Sequence, residues 1–72
     1  MTKVVVVENI IGRWIIQLKD DSSLAWSGSR WAEHDKGVGF TTQIANFTTM
    51  IEAVQFAKRS GFEVVEIEQE FV

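Results

Sequence analysis

Few side chains here have the type and spacing to do chemistry, and the first is His34, set in Glu33-His34-Asp35. A histidine between two carboxylates is raw material for a metal site or a general base. Neighbours in an extended segment point to opposite sides, however, and a metal needs three or four donors aimed at one place. His34 therefore reads as a solvated loop histidine. Glu66, Glu68 and Glu70 alternate along one strand face, where they can hold a cation or raise a carboxyl pKa. The same alternation is what a half-exposed strand presents to water, and that is the reading adopted. Gly37 and Gly39 form only Gly-Val-Gly, without the third glycine or the following helix of a dinucleotide-binding turn. Ser22, Ser23, Ser27 and Ser29 stand in no nucleophile-elbow motif, and one histidine cannot define a triad. The expectation is no catalytic residue, no metal, no cofactor and no enzyme.

What remains is Trp26, Arg30 and Trp31, two indoles flanking a Ser/Gly-rich segment that carries a guanidinium. Large aromatics beside arginine are common anchors of protein interfaces, so these three are the candidate partner-binding residues. Two readings compete with that one. Both indoles can plug a small core whose only leucines are Leu18 and Leu24. They can also stack on a small ligand or a single-stranded nucleic acid, although the latter wants a positive groove.

The net charge of -3 speaks against such a groove, since affinity for phosphate backbones rests on clustered Lys and Arg and the seven here are scattered. Nucleic acid is an unlikely partner on this ground. The absence of cysteine removes disulfides, thiolate zinc sites and thiol nucleophiles together. At 72 residues the chain is expected to be one domain, 1–72, small enough that its core must be economical. The longest apolar run, Val4 to Val7, is far below the roughly 20 residues of a membrane span. It also lacks the plan of a signal peptide, because Glu8 follows at once. The expectation is a cytoplasmic protein with no membrane association.

The elements that would position these residues can be read from periodicity. Residues 2–8 have strong β propensity and read as a strand covered on both faces. Asn9 to Gly12 would turn the chain into a strand over 13–19. There Trp14, Ile16 and Leu18 share the buried face, and Arg13, Ile15, Gln17 and Lys19 the other. Asp20 to Ser23 reads as a turn leading into Leu24 to Ser27. Asp35 to Gly39 reads as a loop, and 41–47 as a short strand.

A helix over about 49–60 is fully punctuated. Thr49-Met50-Ile51-Glu52 fits a capping box, and Met50, Val54 and Ala57 form an apolar line widened by Ala53 and Phe56. Lys58 and Arg59 suit the carboxyl end of the dipole, and Gly61 is a natural stop. The last strand, 62–71, is expected to bury Val65, Ile67, Gln69 and Phe71 and to expose Glu66, Glu68 and Glu70. The result is an α+β fold, a largely antiparallel sheet of four to five strands with a single helix packed on one face.

Phe47-Thr48-Thr49, then Glu52-Ala53-Val54 with Phe56-Ala57 and Gly61-Phe62, preceded by Arg13-Trp14 and Trp31, resembles a known pattern. It is similar to the conserved region of a respiratory complex I accessory subunit family, the NADH-ubiquinone oxidoreductase iron-sulphur protein four type, over residues 13–68. Small uncharacterised phage-type β-rich domains are similar as well. The family's Pro-Leu-Met-Gly-Trp segment is replaced here by Trp26-Ser27-Gly28-Ser29-Arg30-Trp31. The resemblance implies a β-rich domain with one packed helix that acts by docking onto a larger complex. The expected function is thus a small non-catalytic protein-interaction module, an accessory subunit or modulator. It would bind another protein through Trp26 to Trp31 or by adding a partner strand to an open sheet edge. The alternative is a small-ligand or single-stranded nucleic-acid binder using Trp26 to Trp31. Homodimerisation is expected if so small a sheet leaves one face uncovered.

Overall fold

Four consecutive valines make the middle of β1 (Lys3–Glu8), and all four are buried. Successive strand residues point to opposite faces, so this burial requires cover on both sides of the sheet. The structure is a computed structural model that describes residues 1–8, 12–33 and 44–69. β1 lies between β2 (Trp14–Leu18), which is antiparallel to it, and β5 (Glu63–Glu68), which is parallel. Two short strands, β3 (Leu24–Trp26) and β4 (Trp31–Glu33), extend the sheet antiparallel beyond β2. The order is β4-β3-β2-β1-β5. Among the described residues three of the four pairings are antiparallel, and a single helix, α1 (Met50–Arg59), completes the α+β fold.

Helix α1 starts as its sequence dictates. The Thr49 hydroxyl accepts a hydrogen bond from the Glu52 amide at 3.2 Å, satisfying one of the first-turn donors that has no intrahelical partner. The Thr49 hydroxyl in turn donates to Glu52 Oε1, also at 3.2 Å. At the other end the Gly61 amide donates to Lys58 O and the Phe62 amide to Ala57 O, at 3.1 and 3.0 Å. These two bonds are the Schellman pattern, and Gly61 adopts the φ of +86° that it needs.

The helix buries a seam of small residues, Ala53 and Ala57, one turn apart. Ala57 packs on Val4 and Ile16, and Ala53 on Val6 and Trp14, with Met50, Val54 and Phe56 at the flanks. The other face of the sheet carries Val5, Val7, Ile15, Ala25 and Ala32, with Ile44 packed among them.

Three expectations are corrected. Ile15 and Gln17 are buried rather than wet, because β2 is an interior strand whose second face belongs to the Ile44 cluster. The fourth strand is Trp31–Glu33; of the strand expected over 41–47, residues 41–43 lie outside the described residues. The remainder forms one bridge, between Phe47 and Trp14. In β5, Val64 packs on the core; Val65 is 38% exposed where the register slips between the Val4 and Val5 pairs, and Ile67, on the outer strand, is 47% exposed. Val64 and Ile67 stand opposite Val4 and Val6 on the helix side, three residues apart, as a bulge at Val65 allows. Burial of Val4 to Val7 shows that β1 is covered on both sides within one chain. His34, Gly37, Gly39, Glu70 and Phe71 lie outside the described residues.

Candidate functional site

Trp26 and Trp31 stand directly opposite each other at the ends of β3 and β4, joined by the turn Ser27 to Arg30. Ser27 Oγ accepts from the Arg30 amide at 3.1 Å, the Ser27 amide donates to Arg30 O at 2.8 Å, and Gly28 takes a φ of +107°. A turn closed this way fixes the two indoles as a cross-strand pair. Their ring centroids are 5.1 Å apart in an edge-to-face arrangement. Phe62 is the third member, 5.3 Å from Trp26 and 5.4 Å from Trp31. It arrives there because the Schellman stop turns the chain back over Ala57.

Sheet geometry explains why rings occupy this place. Four inter-strand gaps of about 4.8 Å give a sheet about 19 Å wide, and a helix about 10 Å across covers roughly half of it. Helix α1 contacts β5, β1 and β2. The same face of β3 and β4 is left to Trp26, Trp31 and Phe62, which pack against Val4, Ile16 and Ala57 while remaining half-buried.

The structure thus brings Trp26, Trp31 and the backbone of Arg30 together, and sets the Arg30 side chain in the exposed turn. Among the described residues Trp26 Nε1 is buried without a hydrogen-bond partner, as is Glu8 Oε1 at the end of β1. An orphaned neutral donor costs about 1–3 kcal/mol, and the faces of neighbouring rings are weak acceptors. Arg13, by contrast, donates to Thr48 Oγ1 at 3.0 Å, tying β2 to the approach of the helix.

A second surface, of which the sequence singled out Glu66 and Glu68 as an exposed carboxylate row, is the outer edge of β5. Among the described residues no strand lies beyond β5. Glu63, Glu66 and Glu68 pair with Lys3, Val5 and Val7, which puts the three carboxylates on the face opposite the helix. Lys19 donates to Glu66 Oε1 at 2.7 Å across the intervening strand. That hydrogen bond and the lysine's charge hold the Glu66 carboxyl below its ordinary pKa, and the same bond raises the Lys19 ammonium above its own. Ile67 emerges on the helix side. The signal for this edge was the Val-Val-Glu-Ile-Glu run itself, whose period of two conceals the bulge.

Among the described residues no cluster of three His, Cys, Asp or Glu side chains is arranged to hold a metal ion. No helix among them is long and apolar enough to cross a membrane. The fold and its surfaces define a small α+β domain: a five-stranded mixed sheet with one helix, an aromatic hairpin at one end and an acidic edge strand at the other. No protein family model, curated protein or solved structure matches the chain.

Proposed function

We propose that this chain is a small non-catalytic protein-interaction module of the cytoplasm, and that it receives an extended segment of another protein along the outer edge of β5. The observation that supports this reading is the exposure of Val65 and Ile67, both branched strand formers, on a six-residue edge strand. An open edge offers unpaired backbone groups, and its exposed side chains offer apolar area to a docking strand. An accessory subunit or modulator of a larger assembly, the role implied by the resemblance to the complex I subunit family, is one setting for such a module.

A second reading places a small ligand on the Trp26 and Trp31 hairpin, supported by the orphaned Trp26 Nε1 donor. A ligand acceptor reaching that donor would satisfy it, and the half-buried rings would supply stacking area.

Photo-crosslinking separates the two. A benzophenone side chain is placed at Ile67, at Arg30, or at Gln55 on the exposed side of the helix, and captured proteins are purified and returned to the unmodified chain. Strand addition predicts capture from Ile67 and slowed amide exchange in β5 on adding the purified partner. Equal capture from all three positions, or protection confined to the hairpin, refutes it.

A further inference from the structure

We infer that the strand accepted by β5 is basic on one side and apolar on the other, with Lys or Arg alternating with branched aliphatic residues. This inference rests on the strand-addition reading and names the chemistry of its partner. The register divides β5 between two faces: Glu63, Glu66 and Glu68 on one, Val64 and Ile67 on the other. A strand laid along the outer edge continues that division, because directly opposed residues lie on the same face. Its side chains beside Glu66 and Glu68 meet carboxylates, and those beside Ile67 meet an exposed aliphatic surface of the same sheet. Cations suit the first positions and apolar side chains the second.

The chain already contains one such arrangement. Lys19 reaches Glu66 from the inner side of β5, across β1, with both side chains still 44% and 47% exposed. A cation on the outer side completes the pattern symmetrically and shares the carboxylate row.

The same residues disfavour a second copy of this chain as the occupant. Two β5 strands paired edge to edge would bring glutamate rows together, and like charges directly opposite are destabilising. The bulge at Val65 further restricts regular pairing to the stretch after it, Glu66 to Glu68. The edge is therefore closed to indiscriminate pairing and open to a strand of complementary charge.

The test uses the full chain and three capped peptides of equal length in which valine alternates with lysine, with threonine or with glutamate. Affinity is read by fluorescence anisotropy of labelled peptide and location by amide exchange. Two cross-strand ion pairs predict that the lysine peptide binds about 3- to 30-fold tighter than the threonine peptide. The preference should shrink with added salt, narrow in Glu68→Gln, and be accompanied by slower exchange in β5. Equal binding of all three peptides with β5 protected overturns the charge inference and leaves strand addition standing. A lysine preference with protection at the Trp26 to Trp31 hairpin instead of β5 overturns both, as does failure of every peptide to bind.

Discussion

Replacing Gly61 tests the link between the helix stop and the aromatic group. Gly61 has φ of +86°, and no heavy atom lies within 4 Å of the place where an added Cβ would stand. A side chain there meets no neighbour, so the whole effect of substitution comes from the backbone. For L-alanine the left-handed conformation costs about 1–2 kcal/mol. Restricting the unfolded chain returns about 0.4–1 kcal/mol, leaving Gly61→Ala destabilising by about 1 kcal/mol. For a domain of this size that lowers Tm by about 4–8 °C. D-alanine reverses the sign, since a positive φ is its natural region and the surrounding space is open. It keeps the unfolded-state gain and should raise Tm by a few degrees. A chain of 72 residues is accessible to chemical synthesis, so both variants can be made and melted by circular dichroism. The near-ultraviolet signal of the Trp26 and Trp31 pair should survive in both folded proteins, because the bonds that place Phe62 are retained. If L- and D-alanine shift Tm in the same direction by similar amounts, the conformational account is wrong and a contact at position 61 decides the result.

Trp31→Ala should cost about 2–3 kcal/mol by urea denaturation, less than the 3–5 of a fully buried tryptophan, because Trp31 is only half-covered; a cost below 1 would mean the rings contribute little packing. Ile67→Lys should change stability by less than about 0.5 kcal/mol, whereas Ile16→Ala, at a position with no exposure, should cost about 2–5. Comparable losses at the two sites would refute the assignment of Ile67 to an open edge. Glu66 has a lowered pKa, so its contribution is complete above the unfolded carboxyl's pKa and lost as pH falls through the folded value. Lys19 has a raised pKa, so its contribution is complete below the unfolded lysine's pKa and lost as pH rises through the folded value. The stability difference between the wild type and Lys19→Met should therefore be flat between those limits and shrink on both flanks. Asp21, lowered by its bonds from Ser23, titrates in both proteins and cancels in the comparison. A difference independent of pH from acid to alkali would show that the ion pair contributes nothing.

The helix was legible because every signal for it is local. Thr49 and Glu52 are three residues apart, Ala53 and Ala57 four, and Gly61 stands just past the last turn. β1 was legible from four valines, and the second strand from its Trp14, Ile16 and Leu18 alternation. What escaped depends on partners distant in sequence. Gln17 looks solvent-facing by chemistry, yet it stands opposite Val5 on one side and Ala25 on the other, in the interior of the sheet. Trp31 was noticed as a side chain but not as a strand, because Ser-Gly-Ser-Arg reads as irregular until Gly28 supplies the positive φ that closes the turn. The proximity of Trp26 to Trp31 followed from sequence, whereas Phe62 joins them only through the Schellman turn 31 residues later. In β5 a period-two reading puts Val65 and Ile67 on one face; the bulge takes Val65 out of the pairing and sets Ile67 on the face of Val64, at the outer strand.

The two ends of the sheet meet the same difficulty in opposite ways. A single ten-residue helix cannot cover five strands, so either a face or an edge must be closed by other means. At the β3 and β4 end the closure is by mass: three rings, with Trp26 edge to face against both Trp31 and Phe62, fill the area the helix leaves. At the β5 end the helix lies over Val64 and leaves Ile67 exposed. Protection there rests on charge and a bulge, which repel a like strand without covering the edge. Steric closure excludes every partner alike, whereas electrostatic closure excludes by sign. A domain that accepts a strand as proposed has reason to keep that edge under the second kind of control, which would direct the strand to β5 rather than to the aromatic hairpin.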